Sequence, residues 1–411
     1  AASGERILLG KFVEEMMERN KNPIIEGKDC EILPFDNLNL YSTDFNRIFK
    51  IKTNRISRHK APEYFYKFTF TNGRSILVTP EHPMFVFRDG KNQCIEAEEC
   101  CENDFIPCPK YLPNSSQSIE LASIQGSDQY NTKLINFPKN LTPKLSKILG
   151  YLVAEGHSYK GSAAEIGFSN KDSLLLKDFE ELMKSVFQIE PYSYTDKDGV
   201  TSLRFISIDL YNWMNKNFPE VMSISIKKRI PSNILGASVK IAQEFLRGAF
   251  KGDGSVESTS ICFRTASEGL RDDYQDLLLK LGIQSRIVKD THNDSYKVYI
   301  RGQSLVEFFD TIVEENDIRY EKIRTLTNPS KNKTHHHDVF PNSLIPPLLK
   351  LTKELGLTYD GYFYKHLKHN HGFTREVLIE RLREFKQKLR LIENTLKGND
   401  NLINIRNKLG Y

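Results

Sequence analysis

The sequence has a single tryptophan, and none of its six cysteines belongs to a Cys-x-x-Cys pair. Cys30, Cys94, Cys100, Cys101, Cys108 and Cys262 therefore do not spell a structural zinc site. Reduced structural thiols are expected, with an adventitious disulfide within the cluster from Cys94 to Cys108 as the alternative. No apolar run approaches the ~20 residues that a membrane span requires. The opening AASGERILLG has no basic stretch followed by an apolar core, so it does not read as a secretory signal and a cytoplasmic location is expected. Net charge is only +5, but it is unevenly spread: from Pro329 to Tyr411, ten Lys and five Arg face eight acids. A basic segment on a near-neutral body suggests either a polyanionic partner or a solvated helical surface.

With 411 residues and 39% hydrophobic content, the chain has room for two or three domains, each with its own core. Residues 1–125 read as β-rich: IFKIKTNRI and EYFYKFTFTNGRSILVTPEHPMFVFRDGKN cluster aromatic and β-branched residues. Asn72-Gly73 and Asp89-Gly90 mark hairpin turns there, and GKFVEEMMERN is one short helix. Polar, Ser/Asn-rich text follows, and 126–140 reads as a linker. Residues 141–328 alternate helices and strands, and 338–411 read as basic helices.

Within the middle region one pattern is written twice. ILGYLVAEGHS (148–158) superposes on LRGAFKGDGSV (246–256), with Gly150 on Gly248, Ala154 on Gly252 and Glu155 on Asp253. The two acids lie 98 residues apart, and each copy opens an αββαββα pattern, which divides the region into halves 141–228 and 229–328. Glycine weakens a helix, so its presence needs a reason. Small residues four apart share one helical face and let two backbones approach closely. Helices paired in this way bring their C-terminal ends together, so Glu155 and Asp253 are expected to meet. Two carboxylates at two negative helix ends repel each other, and a divalent cation with oxygen ligands relieves that repulsion.

These two stretches, Ile148–Gly156 and Leu246–Gly254, resemble the nine-residue motif of the LAGLIDADG homing endonucleases. The resemblance implies an α/β fold of two pseudo-symmetric αββαββα halves whose sheets straddle double-stranded DNA. It implies that Glu155 and Asp253 bind Mg2+ for phosphodiester hydrolysis. Lys228, in KKRIP, matches a basic position near the scissile phosphate, and Lys322, in RYEKIRTL, resembles its counterpart in the other half. Arg204, Arg264, Lys297 and Arg301 alternate along strands in a way that can point them at bases or phosphates. One chain carrying both halves is expected to act as a monomer on a long asymmetric target. A DNA-binding regulator of the same fold without cleavage, and a degenerate splicing element, are the alternatives.

The front carries a second resemblance. GRSILVTPEHPMFVF followed by ENDFIPCP is similar to the N-terminal half of an intein, an all-β Hint-fold splicing domain, which makes the whole chain multidomain. Thr79 and His82 match the family's Thr-x-x-His block, and Asp104 matches the acid of a later block. The resemblance implies that His82 and Thr79 contact the peptide bond before the first intein residue, where a thiol or hydroxyl attacks. Ala1 stands where that nucleophile is expected to be Cys, and NIRNKLGY stands where a terminal His-Asn pair is expected. The expectation is a splicing-incompetent element that keeps its nuclease. Its partners would be host-protein exteins and a separate C-terminal splicing fragment. His369-Asn370 lies inside a basic helical stretch and is not taken as the missing pair, nor HNHG (369–372) as a His-Asn-His nuclease. His335–His337 read as a loop.

Overall fold

A computed structural model describes residues 7–397 apart from 21–22, 89, 103, 115–117, 127–134, 162, 292, 329–338, 359–360 and 370. Ala1, Asn370 and the three histidines at 335–337 lie outside the described residues. The chain forms two compact units. One comprises Ala1–Glu63, Phe68–Ile76 and Pro109–Thr334; the other comprises Tyr64–Lys67, Leu77–Cys108 and His335–Tyr411.

In the first unit, helix α1 (Leu9–Arg19) precedes β1 (Ile25–Gly27), β2 (Cys30–Pro34), β3 (Asn39–Thr43), β4 (Ile48–Lys52) and β5 (Arg55–His59). β1, β2 and β5 form a three-stranded sheet, and β3 pairs with β4 alone. The front buries little: Val13, Met17, Leu33 and Ile56 are its cluster of buried apolar side chains. Residues 1–125 are shared between the two units. The turn of the ribbon β6 (Tyr66–Thr69) and β7 (Ser75–Val78) instead docks further along the chain. Gly73, at φ +85°, leaves 2.2 Å between a notional Cβ and the Ile287 carbonyl oxygen, while the Ile287 N–H donates to the Asn72 carbonyl. Arg74 donates to Gln275 and Asp276.

The doubled pattern is present as read. The first half runs α2 (Pro143–Glu155), β10 (Gly156–Lys160), β11 (Ala164–Asn170), α3 (Ser173–Phe187), β12 (Tyr192–Thr195), β13 (Thr201–Ile206) and α4 (Ile208–Asn217). After the short α5 (Ser232–Gly236), the second half runs α6 (Val239–Asp253), β14 (Gly254–Val256), β15 (Ile261–Thr265), α7 (Glu268–Lys280), β16 (Arg286–Asp290), β17 (Ser295–Ile300) and α8 (Gln303–Ile312). α9 (Tyr320–Leu326) follows. Both sheets are four-stranded and antiparallel with matched order, β10-β11-β13-β12 and β14-β15-β17-β16. One face of each carries alternating buried residues such as Ile166, Phe168, Leu203 and Phe205, or Phe263, Val298 and Ile300, against the helices. Phe168 stacks on Phe179 at 4.5 Å and, in the matched place, Phe263 stacks on Tyr274 at 4.6 Å. One continuous core spans both halves.

The stretch read as a linker is not a free connection. Its residues Ile135 and Phe137 pack against that core, as do Ile119, Leu121 and Ile124 just before it, and Phe137 stacks on Trp213 at 5.4 Å. These apolar residues are scattered through polar text at neither helical nor strand period, which hid them from a composition-based reading.

The second unit contains the hairpin β8 (Pro83–Arg88) and β9 (Lys91–Glu96), the two-residue strands β18 (Val339–Phe340) and β19 (Phe373–Thr374), and helices α10 (Ile345–Glu354), α11 (Gly361–Lys368) and α12 (Arg375–Lys397). Ile345, Leu348, Phe363, Phe373 and Phe385 form its core. No disulfide joins any of the six cysteines. Among the described residues, no helix is long and apolar enough to cross a membrane.

Candidate active site

Two glycine-bearing helices define the site. A Cβ on Gly150 of α2 would stand 2.1 Å from the Phe245 carbonyl oxygen and 2.8 Å from the Ala249 nitrogen. A Cβ on Gly248 of α6 would stand 2.2 Å from the Lys147 carbonyl oxygen and 3.0 Å from the Tyr151 nitrogen. The two sets of contacts interchange under the 98-residue shift, as a pseudo-twofold axis between the helices requires. At the C-terminal ends, a Cβ on Gly252 would meet Ala154 Cβ at 2.6 Å and Glu155 Cγ at 3.5 Å. Glycine is therefore required by close backbone approach, and the approach carries the two acids to one place.

The electrostatics record that meeting. Burial pushes Asp253 up to about 7, and repulsion from Glu155 adds to it, against the pull of Lys228 and Arg264. Glu155 is also raised by desolvation, with Lys228 opposing. Neither carboxylate is engaged in a hydrogen bond or ion pair among the described residues, so both keep oxygens open to a ligand. No group of three or more His, Cys, Asp or Glu side chains suited to a metal occurs among the described residues. A cation here would take these two carboxylates and complete its shell with water and substrate oxygens, which suits a hard divalent ion.

Lys228 is brought to the same place. It is buried, and its Nζ donates to the carbonyls of Leu152 (2.7 Å), Val153 (3.2 Å) and Gly156 (2.7 Å) at the end of α2. Burial lowers it to about 8, while Asp253 and Glu155 oppose the fall. The second half anchors its backbone: Ser267 donates to the Lys228 carbonyl at 2.8 Å, and Asp273 accepts from Arg229 and from the Ile230 N–H.

Lys322 does not make the matching contacts; its Nζ donates to the Val256 carbonyl at 2.9 Å. Arg319 makes them, donating to the carbonyls of Phe250 (3.0 Å) and Gly254 (2.5 Å), the residues 98 beyond Leu152 and Gly156. By the carbonyls it reaches, Arg319 is the structural counterpart of the Lys228 cap, and the expected part of Lys322 beside the phosphate is a separate proposal. The sequence signal was Arg319 itself, three residues earlier in the same segment; matching by residue type selected the lysine.

Four further cations lie on or beside the sheet faces turned away from the helices. Arg204 is clamped by Glu165, Arg264 lies 3.8 Å from Glu257, and Lys297 bridges Asp290 at 3.1 Å. Arg301 stacks over Tyr299 at 4.8 Å. In the second unit, Thr79 and the exposed His82 share a turn in which the His82 N–H donates to the Thr79 carbonyl at 3.1 Å. Asp104 is held bidentately by Arg88 at 2.8 and 2.6 Å, accepts from the Cys101 N–H at 2.7 Å, and is lowered chiefly by Arg88.

Residues 240–313 match the family model described as a LAGLIDADG-like domain. Three relatives from Methanocaldococcus jannaschii are similar to the chain. They are a glutamine–fructose-6-phosphate aminotransferase (24% identical, over 62% of this chain and 23% of the relative), a replication factor C small subunit (25%, 97% and 20%) and the RNA polymerase subunit Rpo1C (25%, 92% and 45%). The chain thus spans less than half the length of each. Among solved structures, the homing endonuclease I-DmoI in complex with DNA and Mn is 16% identical over 43% of this chain and 99% of that one, with a TM-score of 0.35. The PabCDC21-1 intein is 30% identical over 25% of this chain and 62% of that one, with a TM-score of 0.23.

Proposed function

We propose that this chain is a site-specific endonuclease that cuts both strands of a long, asymmetric DNA target with Mg2+, carried within an intein-related element. The observation that carries the reading is the pair Glu155 and Asp253, pressed together at two glycine-paired helix ends with no hydrogen-bond or ion-pair partner among the described residues. Such a pair suits a divalent cation, which when bound would activate water and stabilise the leaving oxygen. Lys228, held by the carbonyls at the end of α2 where it feels both acids, supplies positive charge beside the phosphate. The match of 240–313 to a LAGLIDADG-like domain supports the fold behind this chemistry.

The relatives support the second part of the reading. An aminotransferase, a replication factor C small subunit and an RNA polymerase subunit share no activity by name, yet each is similar to this chain over a minor part of its own length. A common inserted element accounts for that; a common host activity does not. Thr79, His82 and Asp104 are the candidate splicing residues, with exteins as partners.

Incubation with plasmids carrying the uninterrupted genes of such host proteins tests the reading. Wild type with Mg2+ should linearise one of them at the insertion point. Glu155→Gln and Asp253→Asn should still bind that plasmid but cleave it at least ~100-fold more slowly, in line with the loss of one stabilising group at a reacting centre. Binding without cleavage by wild type would identify a regulator instead.

A further inference from the structure

The two sheets present matched positions of opposite chemistry. In the first half, one cross-strand row on the face away from the helices is Tyr194, Ser202 and Ser169, and the next is Tyr192, Arg204, Gly167 and His157. The same registers in the second half give Val288, Lys297 and Arg264, and then Arg286, Tyr299, Cys262 and Ser255.

The first of these rows therefore changes from a serine pair to two cations. Ser169 and Ser202 bond each other at 2.7 Å, whereas Arg264 and Lys297 are adjacent partners whose nearest acids are Glu257 and Asp290. Arg204, the cation that the first-half strands place on this face, is clamped by the buried carboxylate of Glu165. Its neighbours on the face are the exposed rings of Tyr192, Tyr194 and Tyr159. A cation with a bidentate fork or a mobile ammonium seeks the O6 and N7 of guanine, whereas hydroxyls accept either base and apolar surface contacts the thymine methyl.

Resting on the endonuclease reading, we infer that the two halves read their half-sites by different chemistry. The second half selects guanine through Arg264 and Lys297, whereas the Ser169–Ser202 pair and the tyrosines at the matched places of the first half make no such demand. The cleaved target is then chemically lopsided, with guanines concentrated on one flank.

Selection of cleaved duplexes from a randomised library, using the full chain and Mg2+, tests this directly. The expected result is guanine enrichment on one flank only. Arg264→Ala with Lys297→Ala should remove it, lowering discrimination about tenfold to a hundredfold at each contacted pair. Ser169→Arg with Ser202→Lys should create guanine preference at the matched step of the other flank. Equal guanine dependence on both flanks, or a uniform loss across all sequences in the Arg264/Lys297 variant, overturns the inference and leaves the nuclease intact. Failure of wild type to cleave or bind any duplex overturns the nuclease reading and this inference with it.

Discussion

Lys228 and Arg319 cap two helices at matched carbonyls, the first on Leu152 and Gly156, the second on Phe250 and Gly254. The cap chemistry is shared, but the surroundings are not. Lys228 feels Glu155 and Asp253, whereas Arg319 pairs with the buried Asp317 at 2.7 Å and stacks over Phe250.

The two cations should consequently fail in different ways. Lys228→Met removes the charge beside the paired acids and should slow single-turnover cleavage by on the order of a hundredfold. Arg319→Met strands the Asp317 carboxylate and should cost about 2–4 kcal/mol of stability in urea unfolding. Lys322→Met, losing one contact to an exposed carbonyl, should cost under about 1 kcal/mol. A larger cleavage defect for Lys322→Met than for Lys228→Met would refute the assignment of Arg319 as counterpart.

The glycines give a prediction that does not depend on catalysis. Gly150→Ala and Gly248→Ala each force a methyl against the backbone of the facing helix, so the helices must part or the chain must strain. About 1–3 kcal/mol should be lost in each case, read as a lower midpoint in thermal or urea unfolding. Gly10 lies in α1 with nothing within 4 Å of its Cβ position, so Gly10→Ala should be neutral or stabilise by about 0.5–1 kcal/mol. If all three variants behaved alike, close helix approach would not be the reason for the motif.

The same contrast explains what was legible in the sequence. The doubled helix end was readable because glycine is costly there, so only a close approach justifies it; Glu155 and Asp253 followed from the spacing. Helix α3 was readable residue for residue from its apolar stripe. β12 was not, because Tyr192–Thr195 are all exposed and too few to display a period. The front was legible as strands from its β-like composition, while composition says nothing about which core a strand joins. Arg319 was missed because a cap is defined by the carbonyls it reaches, and those are fixed by tertiary structure.

The last prediction concerns a cluster of four charges at the edge of the paired helices. Lys147 lies 3.0 Å from both Asp178 and Glu314, and Lys251 lies 2.6 Å from Glu314 and 3.6 Å from Asp178. The acids come from different halves, so the cluster ties the two halves across α2 and α6. Burial pushes Asp178 upward, but the Tyr151 hydroxyl and Lys147 outweigh it and the carboxyl sits below its ordinary 3.8. Glu314 likewise resists burial through Lys251 and Lys147 and sits below 4.5. A carboxyl whose folded pKa is depressed stabilises the fold above its unfolded pKa, and that contribution is lost as pH falls through the folded value. The stabilisation that this cluster contributes should therefore hold steady from pH 7 down to about 5 and be lost steeply below about 4, while Asp253, held up near 7, adds stability as pH falls from 7 towards 5. Glu314→Gln leaves two largely buried lysines sharing one acid, which should cost about 2–4 kcal/mol at pH 7. The gap to wild type should narrow as pH drops below 4, because wild type then loses the same charge by protonation. A gap that stays constant from pH 7 to pH 3 would assign the loss to packing and remove the cluster as the electrostatic tie between the halves.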